Sequence, residues 1–268
     1  MIHVNRTVVL FMIATLSLLA GGMFLRNNWS WEEFAAMAYI GTCGTILVYG
    51  INLAKFTYAH YLSILKASIR KPVQGIFLLQ MIPAVPWAVK HTTPFGIVVF
   101  LIVFGCGLLY ALQVKLAGKY FQVKRFAVLK NTFIGFAWGA LILVGAGTWD
   151  NDLVRMIFLF VSLQILNGSV IRDVSDIELD RQQGVRTLPV LCGTKVTFRI
   201  LHAINLLTVL CLFLVPFEMK TNIFICTIVA WKGMILWMSQ KHPSRLWKQD
   251  LNILTCSLIG GLLYLLVL

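Results

Sequence analysis

Long apolar stretches separated by short polar segments make up almost the whole chain. Each stretch spans 18 to 21 residues, and the nine of them are 7–25, 34–54, 73–90, 94–112, 127–147, 153–171, 197–217, 221–238 and 250–268. A helix needs about 20 mostly apolar residues to cross the hydrocarbon core of a bilayer, whereas a membrane β-barrel is built from shorter, alternating segments. The pattern therefore predicts an all-α polytopic membrane protein, with nine transmembrane helices in one domain over residues 1–268.

Two of the stretches allow another interpretation. The third contains Pro83 and Pro86, although membrane helices tolerate proline where neighbouring groups satisfy the freed carbonyl oxygens. The first follows Arg6 and ends in Ala20-Gly21-Gly22, an arrangement that also occurs in signal peptides. Because its apolar run is long and no small-x-small cleavage site follows, we expect a helix that is retained.

Composition agrees with a membrane protein. Hydrophobic residues make up 59% of the 268 residues and charged residues 12%, about half of the roughly 25% that soluble domains carry. Five of the six cysteines fall within predicted spans, and no pair has CxxC spacing. The sequence therefore indicates neither a disulfide framework nor a zinc site, and we interpret the cysteines as small packing residues.

The basic residues predict the orientation of the helices. Eighteen of the 23 lysines and arginines lie in the N-terminal segment and in the loops after spans 2, 4, 6 and 8, whereas four lie on the opposite side. Cytoplasmic loops are enriched in Lys and Arg, so we expect these segments in the cytoplasm and the C-terminus on the other side. Most of the net charge of +13 then faces anionic membrane lipids. Its scatter over four short loops does not fit a nucleic-acid site.

The acidic residues are concentrated in one segment after span 6. Only ten are present in the chain; four of them lie from Asp173 to Asp180, and residues 34–149 contain none. On a helix that advances about 100° per residue, Asp173, Asp176 and Asp180 lie within about 60° of one another. Like charges at this spacing destabilise a helix, so we expect a cation to offset them.

Two kinds of cation could balance these carboxylates. Mg²⁺ binds carboxylate oxygens and usually shares its coordination shell with substrate phosphates. The alternative is an ordinary solvated loop in which Arg172, Arg181 and Arg186 neutralise the acids.

The run from Asp173 to Gly193 closely resembles the second aspartate-rich motif of the UbiA superfamily of intramembrane prenyltransferases. The matching positions are Asp173, Asp176, Asp180, Arg181, Gly184, Thr187-Leu188-Pro189-Val190 and Gly193. The family's two motifs follow helices 2 and 6 of a nine-helix bundle, and the predicted spans place this motif after helix 6. A second similarity, to the start of the family's helix 5, rests on Tyr120, Lys124-Arg125, Lys130-Asn131 and Gly135.

The resemblance implies transfer of an isoprenyl group from its diphosphate to a lipophilic acceptor, often an aromatic ring or a quinone precursor. It implies that Mg²⁺ is held by Asp173, Asp176 and Asp180, with catalytic roles for Asp176 and Asp180. The side chains implied to bind the diphosphate are Lys66, Arg70, Lys71, Lys124, Lys130, Asn131, Arg172, Arg181 and Arg186.

The family's first motif, an Asn-Asp-x-x-Asp-x-x-x-Asp segment ending in Arg-Pro, is not preserved. When Lys71-Pro72 is placed on the Arg-Pro, the positions of the family's carboxylates hold Thr57, His60 and Ile64. At most one metal ion is then held well, by the second motif. The loop over residues 55–72 offers Lys66, Arg70 and Lys71 as a direct clamp for the diphosphate, with His60 as a candidate ligand.

Other functions remain open from the sequence. A family member that keeps only the second motif could cyclise the isoprenoid. It could also bind isoprenoids, or support a partner protein, without catalysis. A transporter is disfavoured, because only Lys232 is an ionisable residue placed clearly within a span. The CDP-alcohol phosphotransferases also use aspartates at a membrane surface, but the Asp-Gly and Ala-Arg pairs of their motif are missing from this segment.

Overall fold

The computed structural model describes residues 6–26, 28–53, 85–111, 114–116, 119–121, 127–182, 184–210, 219–242 and 248–267. Its helices are α1 (Arg6–Phe24), α2 (Trp31–Leu53), α3 (Pro94–Ala111), α4 (Ala127–Ala146), α5 (Asp152–Ser175), α6 (Ile177–Gln182), α7 (Leu188–Leu207), α8 (Met219–Lys241) and α9 (Lys248–Val267). A 3₁₀ turn over Thr208–Leu210 extends α7. Residues 85–90 are also helical; the rest of the third predicted span lies outside the described residues.

Eight of the nine predicted spans overlap a long helix. Within the described residues, four helical stretches are long and apolar enough to cross a membrane: Leu129–Ala146, Asp152–Ser175, Leu188–Leu210 and Met219–Lys241. Three further apolar helical stretches are shorter: Phe11–Phe24, Pro94–Leu108 and Leu254–Leu263. The all-helical architecture is therefore confirmed for the spans, while the total of nine stays a prediction.

One small element departs from the predicted all-α fold. In the loop after α3, strand β1 (Val114–Leu116) pairs antiparallel with strand β2 (Lys119–Phe121), with Lys115 opposite Tyr120. Three-residue strands are too short for a periodic apolar pattern to reveal them. The strand pair lies between α3 and α4 in the sequence.

Polar side chains fix where two of the helices begin. At α2, the Ser30 hydroxyl accepts a hydrogen bond from the Glu33 amide (3.1 Å), and the Glu33 carboxylate accepts one from the Ser30 amide (3.2 Å). This reciprocal capping box satisfies two amide groups that the first turn leaves without partners. At α5, the Asn151 side chain accepts hydrogen bonds from the amides of Leu153 and Val154. Both starts lie at the end of the bundle opposite the acidic segment.

The long helices pack in two groups. Helices α1 to α4 contact one another, and so do α5, α7, α8 and α9; α4 packs along α5 and α1 along α9 to join the groups. The largest buried cluster lies where the groups meet and includes Leu18, Ile142, Ile157 and Ile259, each with 0% exposure. The acidic segment follows α5 and therefore lies at one end of this seam.

Glycines allow α4 to approach its neighbours closely. A Cβ added at Gly145 would overlap the carbonyl oxygen of Leu19 on α1. On the α5 side, Gly135 and Gly139 form a GxxxG pair, and a Cβ at either position would overlap Ser162. Small residues at such positions let helix backbones pack at short range in membranes.

The close contact between α1 and α4 predicts that Gly145→Ala destabilises the protein. The obstructing atom is a backbone carbonyl oxygen, which cannot rotate away, so we expect a loss of about 1–3 kcal/mol, as for other overpacked cores. Thermal unfolding in detergent measures the effect. Gly261→Ala is the matched control, because a Cβ there meets nothing within 4 Å; an equal loss in both variants would contradict the packing argument.

Candidate active site

The acidic segment does not form the single helical stripe that the sequence predicts. Helix α5 ends at Ser175, Asp176 caps it with φ −103° and ψ 7°, and α6 begins at Ile177. The three carboxylates are thus distributed over the end of α5, the break and α6. The Asp180 amide still donates to the Asp176 carbonyl oxygen over 2.8 Å, so the turn is tight, and Asp180 is directed inward with 8% exposure.

A buried ion pair joins α4 to α5 at this end of the bundle. The Lys130 ammonium donates to Asp173 Oδ1 over 2.6 Å. Asp173 is 1% exposed, and the Lys130 side chain is largely covered. A charge in such a place is costly unless it is paired and hydrogen-bonded, and here each partner supplies the charge that the other requires.

Two further residues fix the orientation of Asp173. Asn131 Nδ2 donates to Asp173 Oδ2 over 2.8 Å, and the Ser169 hydroxyl donates to Asn131 Oδ1 over 2.6 Å. Because Asn131 Oδ1 accepts from Ser169, the amide nitrogen of Asn131 must face Asp173. Both carboxylate oxygens of Asp173 are therefore occupied by protein donors.

Asp180 lies in a different environment. Its Oδ2 is buried and has no hydrogen-bond partner among the described residues. Burial raises the pKa of the Asp180 carboxyl above its ordinary value, and Asp173 and Asp176 add to the shift, while Lys130 and Thr187 oppose it. The Thr187 hydroxyl is close enough to act on Asp180 but is outside hydrogen-bond geometry. The site thus contains a buried carboxyl oxygen that lacks a hydrogen-bond donor among the described residues.

The glycines of the motif shape the return to α7. Gly184 has φ +66° and Gly193 φ +74°, a region that side chains with a Cβ rarely adopt. Between the two glycines, the Val185 amide donates to the Asp180 carbonyl oxygen (2.8 Å), and α7 then begins at Leu188. The segment between predicted spans 6 and 7, residues 172–196, is expected to be a loop, but α6 and the first turns of α7 occupy most of it, and Gly193 kinks α7.

The predicted diphosphate-binding arginines lie at the rim rather than beside the buried pair. Arg172 Nε is 4.0 Å from Asp176 Oδ2, and the Asp176 side chain is 39% exposed. Arg181 pairs with the exposed Glu178 over 3.0 Å, and Arg186 is exposed. These three are available to solvent or ligand, and Lys130 is the predicted cation that reaches the centre. Lys66, Arg70, Lys71, Lys124 and the candidate ligand His60 lie outside the described residues.

The sequence did not identify two residues of the centre. Ser169 precedes Asp173 by four residues, so helical periodicity places both on one face of α5 and could have revealed it. Tyr110, at the end of α3, lies close enough for the charges of Lys130, Asp173 and Asp180 to act on its hydroxyl. Nothing local to Tyr110 signals this, because the proximity depends on how α3 packs against α4.

The described carboxylates fit a site that binds one Mg²⁺ ion through two of them better than a site that uses all three. No group of three His, Cys, Asp or Glu side chains in the described part of the chain is arranged to hold a metal. Asp176 and Asp180 have accessible or unpartnered oxygens, which suits an ion bound by two carboxylates and substrate phosphates. Asp173, which is predicted from the sequence to be a third ligand, instead accepts hydrogen bonds from Lys130 and Asn131.

The ion pair predicts a strong coupling between Lys130 and Asp173. Asp173→Leu and Lys130→Met each leave one buried charge unpaired, so we expect each to lose roughly 3–5 kcal/mol. The double variant Lys130→Met, Asp173→Leu removes both charges and should recover most of that loss. A double-mutant cycle from unfolding in detergent measures the coupling; additive effects of the two changes would contradict a buried pair.

The environment of Asp180 predicts a pH-dependent stability in the absence of metal. Because its folded pKa is raised, its contribution is fully present below the ordinary carboxyl pKa of about 4 and is lost as pH rises through the folded value. In EDTA, Asp180→Asn should therefore unfold at a higher temperature than wild type near neutral pH, and the difference should shrink towards pH of about 4. The exposed Asp150→Asn is the control; the same pH trend there would refute the assignment.

Comparison with known proteins supports the family resemblance. The model of the UbiA prenyltransferase family matches residues 70–255. Two curated relatives, both named digeranylgeranylglyceryl phosphate synthase, are 27% identical over 156 residues (Methanocaldococcus jannaschii) and 25% identical over 123 residues (Haloquadratum walsbyi). The matches cover 52% and 43% of this chain and 54% and 43% of the relatives. The chain thus spans about half the length of the curated relatives it matches.

Solved structures share the fold. A UbiA homolog from Aeropyrum pernix superimposes with a TM-score of 0.67 at 15% identity, over 100% of both chains. A UbiA homolog from Archaeoglobus fulgidus, whose structure is bound to GPP and Mg²⁺, gives 0.65 at 13% identity, over 98% of this chain and 97% of that one. The family match covers more than half of the sequence and includes the aspartate motif. The chain belongs to the UbiA prenyltransferase family.

Proposed function

We propose that this chain is an intramembrane prenyltransferase that moves an isoprenyl group from an isoprenyl diphosphate to a lipophilic acceptor. The observation that carries the proposal is the buried Asp180 Oδ2, which has no hydrogen-bond partner among the described residues and interacts with the charges of Lys130 and Asp173. An anionic oxygen in such a place is costly unless a cation binds to it. The cation that suits the motif is Mg²⁺ that also binds a diphosphate.

The proposal includes a membrane topology. We place nine transmembrane helices in one domain over residues 1–268, with the N-terminus and the segments 55–72 and 172–196 in the cytoplasm and the C-terminus on the opposite side. The distribution of Lys and Arg supports this orientation. The start of α4 and the end of α5 also meet at one end of the bundle, through Lys130 and Asp173, as alternating helices require.

The donor is proposed to be an isoprenyl diphosphate. The structures of the Archaeoglobus homolog contain GPP or DMAPP together with Mg²⁺. In this chain, Asp176 and Asp180 would hold the ion, which when bound neutralises negative charge on the leaving diphosphate. Asp173 accepts one N–H of the Lys130 ammonium, so two N–H groups remain to donate to diphosphate oxygens.

The chemistry follows from this charge arrangement. The allylic C–O bond breaks as the electron pair leaves with the diphosphate; the acceptor then forms a bond to the allylic carbon and loses a proton. Lys130, fixed in place by Asp173, donates hydrogen bonds to the leaving group as its charge grows, which is the preorganised electrostatic stabilisation that lowers such barriers. The apolar bundle below the site keeps water from the allylic cation.

The acceptor is the least constrained part of the proposal. A glyceryl phosphate that already carries an isoprenyl chain is the first candidate, because the curated relatives are named for a digeranylgeranylglyceryl phosphate product. An aromatic or quinone-like lipid is the second, since the family resemblance implies such acceptors. Both are lipophilic molecules that reach the site from the bilayer.

The proposal predicts Mg²⁺-dependent prenylation that requires the two candidate metal ligands. Purified protein is incubated with labelled isoprenyl diphosphates of several chain lengths, with each acceptor type and with native lipid extract. Asp176→Asn and Asp180→Asn should each lower turnover by roughly 10²-fold or more. Glu178→Gln is the matched control, because Glu178 belongs to the same segment but is exposed and paired with Arg181; it should retain activity near wild type.

Other outcomes of this assay would replace the proposal. Turnover by both asparagine variants at the wild-type rate would remove Asp176 and Asp180 from the site. A hydrocarbon or alcohol formed without acceptor would identify a cyclase. Intact diphosphate under every condition would favour a protein that binds isoprenoids without transferring them.

A further inference from the structure

Asp173 differs from the other acids of its motif in what it binds. Its Oδ1 accepts from the Lys130 ammonium at 2.6 Å and its Oδ2 from Asn131 at 2.8 Å, and the residue is 1% exposed. Asp176 is partly exposed with Arg172 at 4.0 Å, and Asp180 has an unpartnered oxygen. The motif therefore presents two carboxylates to a ligand and uses the third within the protein.

We propose that Lys130 is a resident cation that replaces a second metal ion, so that the site takes one Mg²⁺ per chain. Asp176 and Asp180 bind that ion, while Asp173 holds the Lys130 ammonium in the position from which it contacts the diphosphate. The role of the diphosphate in this statement rests on the proposed function. The division of the carboxylates does not, since it rests on which oxygens have protein donors and which have none.

The sequence of the loop over residues 55–72, which aligns with the family's first motif, supplies an independent argument. Residues 34–149 contain no Asp or Glu, so the segment at 55–72 offers no carboxylate to a second ion. A diphosphate bears several negative charges, and one divalent ion leaves part of that charge unbalanced. A buried ammonium beside the phosphates directs N–H donors and a local positive charge at them without a further metal ligand, while Asp173 on its other side serves as its counter-charge.

The hydrogen bonds around Asp173 also oppose metal binding there. An ion at Oδ1 would lie beside the ammonium of Lys130, a like charge 2.6 Å from that oxygen. An ion at Oδ2 would compete with Asn131, whose amide orientation is fixed by Ser169 at 2.6 Å. Asp173 is also only 1% exposed, so an ion there would need new ligands in place of its water, which is unfavourable.

Metal binding measured directly tests the inference. Mn²⁺ serves as a paramagnetic substitute for Mg²⁺, and electron paramagnetic resonance counts the ions bound to the purified full chain with and without inorganic diphosphate. We expect one Mn²⁺ per wild-type chain. Asp176→Asn and Asp180→Asn should weaken its binding at least tenfold, whereas Asp173→Asn should change it by less than about threefold. Zero or two ions per wild-type chain would overturn the inference.

Two variants of Lys130 sharpen the test. Lys130→Met frees Asp173, so we expect a second, weaker Mn²⁺ to appear and diphosphate affinity at one equivalent of Mn²⁺ to fall about tenfold. The double variant Lys130→Met, Asp173→Leu removes the pair without leaving a buried charge, and it should bind one Mn²⁺ as wild type does. Loss of that ion in the folded double variant would show Asp173 to be a ligand.

The outcome is separable from that of the proposed function. A wild-type chain that binds one Mn²⁺ through Asp176 and Asp180 but forms no product would sustain the metal assignment and refute the transferase. A chain that forms product but loses Mn²⁺ on Asp173→Asn would sustain the transferase and refute the metal assignment.

Discussion

The ion pair between Lys130 and Asp173 is the interaction on which the candidate site depends. It joins α4 to α5, and these two helices belong to the two groups that make up the bundle. Because both charges are largely buried, each must have the other nearby. The pair thus sets the relative position of the helix ends that carry Lys130, Asp173 and, one turn further, Asp176. A change in how the two groups pack would first alter the distance between Lys130 and Asp173.

The packing below the pair makes its short distance attainable. Gly135 and Gly139 let α4 lie close against Ser162 on α5. A bulkier residue at either position would push the helices apart and lengthen the distance between Lys130 and Asp173. The rigid part of the site is therefore built on regular helices, whereas Asp176 and Asp180 follow a helix break. Such a division suits a site in which one cation is permanent and the other binds with its ligand.

Sequence reasoning identified the components of the site better than their arrangement. Charge placement alone located Asp173 to Asp180, and the resemblance to a family motif added Lys130 and Asn131, because these depend on residue type and order. The break at Asp176 was missed since a helical period of acids gives no indication of where the backbone turns. Tyr110 was missed because its approach is a tertiary contact. The long apolar stretches located the described helices well, but strands of three residues are too short for such a pattern to reveal the hairpin.

The charge balance links these observations. A chain without carboxylates from residue 34 to residue 149 offers no acidic ligand for a metal ion in that part of the sequence, so in the proposed site lysines and arginines take the place of a second ion. A buried lysine there needs a counter-charge before any ligand arrives, and Asp173 supplies it. Under the proposal, the Asp173–Lys130 pair and the acid-free loop are two consequences of one arrangement, in which a lysine side chain of the protein replaces a bound metal ion. Asp180, whose Oδ2 has no donor among the described residues, is then the carboxylate that suits an ion arriving with the ligand.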